Sequence, residues 1–494
     1  MNNLRLSHQE RGTCRLSLAA GFAVLLVLAG CASTHGLKPA ASMTGADNLA
    51  ATDSLAAGTL DSGAWPDKEW WKRFNDPQLN QLMDEALAGS PSLKVALARA
   101  QEASSLADQA NAARSPRVDS SLSATRERFP DNALIPPPYA GSWNTFDQLQ
   151  ATLSWDIDFW GKNRAAFEQA LGQARAAGVD AEAARLALSV DVAHSYVQLV
   201  RAYLQLDVAQ ATVDQRESVL ALTRERNAAG IDSRLELKQA EAAVHAAREQ
   251  VEQLDETIAL TRTQIAALMG QGPDRGLAIG RPAAMTSADA SVPTRVPSQL
   301  LGRRPDIVAQ RWRVESARSA IHVAQTQFYP DLNLTAFVGF QSLGTSSFLS
   351  LGSREVGVGP AVSLPLFDAG QRRANLAGAD ARYDEAVGQY NQTLVDALRE
   401  VVDQLNSFRS LSRQRVEQQQ ALAASRDAYD LAMLRYREGV GNYLQVLSAE
   451  APLLEQESLE VNLRTRALDL SINLVRALGG GLEQQSPPLA SATP

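Results

Sequence analysis

The chain has almost no cysteine to build with. Its 494 residues hold two, Cys14 and Cys31, and the first falls in a segment that reads as a removable leader. A mature chain with Cys31 alone forms no internal disulfide, so its stability has to come from burial and association. Catalytic signatures are missing as well. There is no Gly-x-Ser-x-Gly elbow, no phosphate-cradling glycine loop and no His-Glu-x-x-His, while His194, His245 and His322 stand apart in helical segments. That inventory argues against an enzyme and against a resident cofactor or metal. Positive charge is not in excess either. The formal charge is −8, and removing residues 1–30, with Arg5, Arg11 and Arg15 against Glu10, makes it −10. An acidic chain argues against nucleic acid as a partner.

Residues 1–30 carry those three arginines ahead of an apolar stretch at 16–28, too short for a spanning helix and suited to a signal peptide. The leader ends in Leu28-Ala29-Gly30-Cys31. Small residues directly before a cysteine resemble the bacterial lipobox, in which the cysteine becomes the acylated N-terminus. Ala32 in the next position implies sorting to the outer membrane, with covalent lipid on Cys31 as the anchor. Three acyl chains, at about 0.8 kcal/mol per buried methylene, hold a protein to a bilayer lastingly. Residues 31–64 are rich in Ala, Ser, Thr, Gly and Asp without periodicity and predict a flexible lipidated tether, with folded structure from Trp65.

Displaced by 209 positions, the chain matches itself. Ser154 falls on Ser363, Gly161 on Gly370, Arg226 on Arg435, Gly230 on Gly439, Glu241 on Glu450 and Gly270 on Gly479, without a gap. Upstream the offset becomes 214 and pairs Pro91 with Pro305 and Pro116 with Pro330, so the first copy has extra residues in a loop after Pro116. A period this long means one fold made of two similar halves rather than a solenoid. The expected domains are a first repeat at 65–280, a second at 281–480 and a disordered tail at 481–494.

Within each half the hydrophobic period alternates between two values. Leu237, Ala240, Val244, Ala247, Val251, Leu254 and Ile258 follow heptad spacing on a helix. Leu332, Leu334, Ala336, Val338 and Phe340 instead alternate with polar or small residues, as do Val356, Val358, Val362, Leu364 and Leu366, and Leu149, Ala151, Leu153, Trp155 and Ile157; residues 118–128 are a weaker fourth case. These predict two hairpins, one per repeat, with strands of a length suited to crossing a bilayer at a tilt. Four strands cannot close a barrel, and an open edge in lipid leaves backbone groups unsatisfied. Copies must therefore share the barrel: two would give a cylinder filled by side chains, whereas three give twelve strands with room for a lumen. Residues 162–228 contain no proline and predict a single helix about 100 Å long, as does its counterpart from about 371 to 438. Shorter helices are expected at 92–115 and 233–269, so that each repeat sets one full-length helix beside two stacked short ones.

Several motifs point to one family. Trp70-Trp71-Lys72-Arg73-Phe74-Asn75-Asp76-Pro77-Gln78-Leu79, Leu301-Gly302-Arg303-Arg304-Pro305-Asp306-Ile307, Phe328-Tyr329-Pro330 and Leu366-Phe367-Asp368-Ala369-Gly370 resemble the signature of the TolC-like outer membrane factors. The lipobox places the chain nearest their NodT-type efflux lipoprotein branch. The resemblance implies a mixed α and β membrane protein, an internally duplicated protomer giving four strands of a trimeric twelve-stranded outer membrane β-barrel. That barrel continues as a twelve-helix periplasmic α-barrel with an equatorial belt. The implied partners are a periplasmic membrane fusion (adaptor) protein and an inner membrane efflux pump.

By the same resemblance the helix turns Gly230-Ile231 and Gly439-Val440 are the tips that dock the adaptor. The periplasmic gate is expected around Glu236, Tyr436, Leu444, Gln445 and Ser448, with a hydrogen bond between Glu236 and Tyr436 across the tip and Leu444 as an apolar constriction. Pro452, inside the second short helix, is expected to kink it or to break one backbone bond. The function implied is a passive exit duct for small molecules in a tripartite efflux system. Two other readings stand beside it: an exit duct for type I protein secretion, and a periplasmic coiled-coil scaffold without a pore.

Overall fold

The computed structural model describes residues 36–45, 48–50, 54, 64–132, 135–283, 285 and 296–482, so Cys31 and the leader lie outside the described residues. Helices α1 (Pro77–Gly89) and α2 (Pro91–Ala112) lead into strands β1 (Arg117–Arg128) and β2 (Trp143–Asp156). Then follow α3 (Lys162–Ala228), α4 (Arg234–Leu268), α5 (Asp274–Leu277) and α6 (Val296–Arg303). The second half repeats the plan with α7 (Pro305–Thr326), β3 (Asp331–Leu343), β4 (Arg354–Ser363), α8 (Gln371–Arg437) and α9 (Tyr443–Ala477). The two 67-residue helices, α3 and α8, are the elements expected from the proline-free stretches. Helix α9 runs unbroken through Pro452, which costs it one backbone donor and no change of element. Among the described residues no helix is long and apolar enough to cross a membrane.

The chain divides into two compact units, and these do not follow the duplication. Each takes segments from both repeats: of the described residues, one holds those of Gln101–Ala176 and Gln310–Tyr390 with 36–43, and the other holds the remainder.

The first unit carries the sheet. All four strands join in the order β1-β2-β3-β4, every pair antiparallel, so the two expected hairpins are fused through β2 and β3. The register explains why they fuse. Val118 lies opposite Leu153, Leu153 opposite Ala336 and Ala336 opposite Val358, so the apolar set of each strand falls on one common side. The other side carries Ser121, Gln150, Gly339 and Glu355 in the same way. A slip of one residue would send every apolar side chain to the wrong face. The apolar side is bare in the protomer, with Val356 79% and Leu122 71% exposed. Among the described residues the outer edges of β1 and β4 have no strand partner.

Next to the sheet, Ile321, Ala324 and Phe328 pack on Leu376 and Ala379, and Leu37 from the N-terminal segment packs on this cluster. The segment 31–64 was expected as a free tether, and over part of its length it is fixed. The backbone N–H groups of Ala40 and Ala41 donate to the Asp384 carboxylate of α8 at 2.8 to 3.2 Å. Composition misses this because the anchoring groups are backbone amides. Packed chain also extends past residue 480, since Leu482 is buried.

The second unit is helical and its core is aromatic at one point. Trp70, Trp71 and Phe74 stack edge to face, buried with Leu79, Met83, Tyr196 and Ile265. Asp76 caps α1 by accepting from the Gln78 and Leu79 amides, and the Tyr196 hydroxyl donates to its other oxygen at 2.8 Å. The motif at 70–79 is thus a plug and a cap. Arg304, buried, donates to Asp306, to Glu400 on α8 and to the Ala477 carbonyl at the end of α9, which explains the Arg304-Pro305-Asp306 motif. The heptad seam of α4 is buried at Ala240, Val244, Ala247, Leu254 and Ile258.

Candidate functional site

The helix turns α3–α4 and α8–α9 both lie in the helical unit. Each is closed by the same device. Gly230 has φ +72° and Gly439 has φ +78°, the left-handed conformation that a Cβ resists. With that bend in place the Ile231 amide reaches the Arg226 carbonyl and the Val440 amide reaches the Arg435 carbonyl, at 2.9 and 3.0 Å. Such 6→1 bonds satisfy carbonyls that a helix end leaves free. The residue after each glycine then stands outward: Ile231 is 62% exposed and Val440 69%. Each turn thus leaves one apolar side chain open to water.

The following helices are capped differently. Glu236 accepts from the backbone N–H and the hydroxyl of Ser233, closing a capping box at the start of α4. Asn442 caps α9 by accepting from the Gln445 amide at 3.0 Å. Leu444, Gln445 and Ser448 are all exposed at the start of α9, and the Ser448 hydroxyl donates back to the Leu444 carbonyl.

The expected bond from Tyr436 to Glu236 is replaced by another. Tyr436 is fully buried and its hydroxyl donates to Asp232 Oδ2 at 2.5 Å, with Thr223 Oγ1 3.0 Å away. Glu236 is engaged by its own cap, whereas Asp232, one residue before Ser233, faces inward. Arg226 completes the cluster. It holds Asp232 through two hydrogen bonds of 2.9 and 3.1 Å, donates to the Tyr436 carbonyl at 2.8 Å and lies 4.4 Å above the Tyr436 ring centroid. One buried ion pair therefore ties the first turn to the end of α8. Sequence reading missed Arg226 and Asp232, although a signal was present. The duplication keeps the arginine as Arg435 but sets Gly441 where Asp232 stands, so only the first turn has the clamp.

Burial opposes the Asp232 charge, yet the hydrogen bonds from Arg226 and Tyr436 outweigh it and hold the carboxyl below the ordinary carboxylate range. Burial, then the bond to Asp232, pushes the Tyr436 phenol up to about 12. A lowered acid stabilises the fold above its unfolded pKa, and that contribution disappears as the pH falls through the folded value. The raised phenol contributes below about 10 and loses its contribution as the pH rises toward 12. Asp232→Asn should therefore lower the thermal midpoint most at neutral pH, with the gap to wild type closing below about pH 4. A gap that stays constant between pH 7 and pH 3 would contradict the charged clamp.

The histidines do not converge: His194 bonds Asp469 at 2.8 Å as a link between α3 and α9. Among the described residues no three His, Cys, Asp or Glu side chains gather as they would around a metal ion.

Comparison with known proteins agrees with this architecture. The family model for outer membrane efflux proteins matches residues 82–271 and 296–480. Fusaric acid resistance protein FusA of Burkholderia cepacia is 39% identical over 380 residues, 76% of this chain and 71% of the relative. Multidrug resistance outer membrane protein MdtP of Escherichia coli is 30% identical over 433 residues, 86% of this chain and 88% of the relative. The crystal structure of the outer membrane protein VceC from Vibrio cholerae superposes with a TM-score of 0.81 at 39% identity, covering 85% of this chain and all of VceC. Matched by the family model over more than half its length, the chain belongs to the outer membrane efflux protein family and is an exit duct of the outer membrane.

Proposed function

We propose that three copies join their sheets into one twelve-stranded barrel and pass small molecules outward, unaltered, from an inner membrane pump and a periplasmic adaptor. One observation carries this reading: a sheet with an apolar side, a polar side and, among the described residues, two unpaired edges, on β1 and β4. In lipid, backbone groups on an open edge each cost several kcal/mol, and only closure removes the edge. A pore-free scaffold has no use for such a sheet. The names of FusA and MdtP, which speak of resistance to fusaric acid and to multiple drugs, favour efflux of small compounds over protein secretion. Cys31 supplies the lipid anchor in this reading. Intact-mass measurement of the purified protein should give a trimer with an acylated Cys31, and an unacylated monomer would end it.

In the same reading the tips at Gly230-Ile231 and Gly439-Val440 receive the adaptor. Their positive φ and outward aliphatic side chains support it. Gly439→Trp should abolish drug resistance in cells while leaving the amount of outer membrane trimer unchanged, because a bulky side chain strains the turn and fills the contact surface. Full resistance with that variant would show that the adaptor docks elsewhere.

The clamp of Arg226, Asp232 and Tyr436 holds the two turns of one protomer together and favours a closed tip, with Leu444, Gln445 and Ser448 as the narrowing beyond it. Tyr436→Phe removes one hydrogen bond, about 1 kcal/mol or somewhat more beside a charge, and should raise the open fraction several-fold. Planar bilayer recordings of the purified channel read this directly. Glu236→Gln, which touches only a helix cap, should leave the conductance at the wild-type level; the reverse ranking would return the gate to Glu236.

A further inference from the structure

The sheet sorts charge by side as well as hydrophobicity. The apolar side that carries Val118 and Leu122 also carries Arg126 and Arg128 on β1, and the register brings Arg354 of β4 to that side. Strand alternation sends the neighbours Glu127 and Glu355 through to the polar side. The one carboxylate that these strands place on the apolar side, Asp147, is only 3% exposed. The outward charge of this side is therefore cationic.

Position along the strand narrows the meaning of these arginines. Arg126 comes eight residues after Val118 and Arg354 eight residues before Val362. At about 3.3 Å per residue each stands roughly 26 Å from the far end of its apolar run, close to the height of the apolar band on outer membrane barrels. Both lie toward the β1–β2 and β3–β4 turns, the ends of these strands away from the helices. Arg126 and Arg354 are exposed and neither is paired among the described residues, whereas Arg128 is engaged by Asp131 at 3.1 Å.

We infer that Arg126 and Arg354 bind the phosphate groups of an outer-leaflet lipid whose acyl chains lie on the apolar side of the sheet. The inference rests on the trimer reading, for β1 and β4 are the two edge strands. Closure sets β4 of one copy beside β1 of the next, so that Arg354 of one and Arg126 of the other share the outward side of one seam. Guanidinium suits this role because its planar fork meets a phosphate through two parallel hydrogen bonds, and it is weakly hydrated. A phosphorylated lipid bridging the seam also links two copies.

Native mass spectrometry of the purified protein titrated with lipid A tests the site. Wild type is expected to run as a trimer that retains lipid A. Arg126→Gln/Arg354→Gln should bind it at least about tenfold more weakly, and Arg126→Lys/Arg354→Lys should recover part of the loss. Dephosphorylated lipid A should bind wild type as weakly as lipid A binds the double glutamine variant. Undiminished lipid A binding by a trimeric glutamine variant, or equal binding of the dephosphorylated lipid by wild type, overturns the site and leaves the trimer standing. A monomeric wild type overturns the assembly and the seam with it.

Discussion

An unpaired backbone edge cannot remain in hydrocarbon, and the architecture of this protein follows from that constraint. Among the described residues the protomer makes four strands and leaves β1 and β4 open. A soluble protein would blunt such edges with charge, proline or a bulge. Here β1 is exposed along its whole length, and the cations on its apolar side, Arg126 and Arg128, stand at one end of the apolar run. The duplication gives the sheet its economy: two hairpins in register extend the apolar side twice as far as one, and the pairing of β2 with β3 fuses them.

The helical turns show the opposite use of duplication. Backbone geometry is conserved between the copies, glycine for glycine, because a helix end has to satisfy the same carbonyls in both. Side-chain chemistry is not. Arg226 has Asp232 to bind and Tyr436 to cover it, while Arg435 faces Gly441 and remains exposed. A buried ion pair contributes little net stability after desolvation, but removing one partner of it is costly. Such a pair serves better to hold one specific arrangement of the two turns than to raise overall stability.

Helix α3 was legible to the residue because nothing in 162–228 interrupts a helix, and the seam of α4 was legible because heptad spacing has one geometric solution. Strict alternation made β2 and β3 legible, whereas β1 alternates only weakly and β4 ends at Ser363, short of the expected Leu364 and Leu366. The gate was not legible. Glu236 and Asp232 are both acids at the first turn, facing Tyr436 only through the fold, and only the direction of each side chain separates them. Glu236 stands at the third residue of α4, where a capping box claims it, and Asp232 stands two residues past Gly230, where the left-handed bend turns it inward.

By itself the sequence determined the periodicities, the duplication and the glycines at the turns, since each follows from local backbone sterics and the alternation of polar with apolar residues. Only the tertiary structure decided that β2 pairs with β3, that the Ala40 and Ala41 amides bind Asp384, and that Tyr436 bonds Asp232. These are contacts between segments far apart in the chain. Whether they form depends on where a side chain or amide points once the backbone has been placed, which no local pattern encodes.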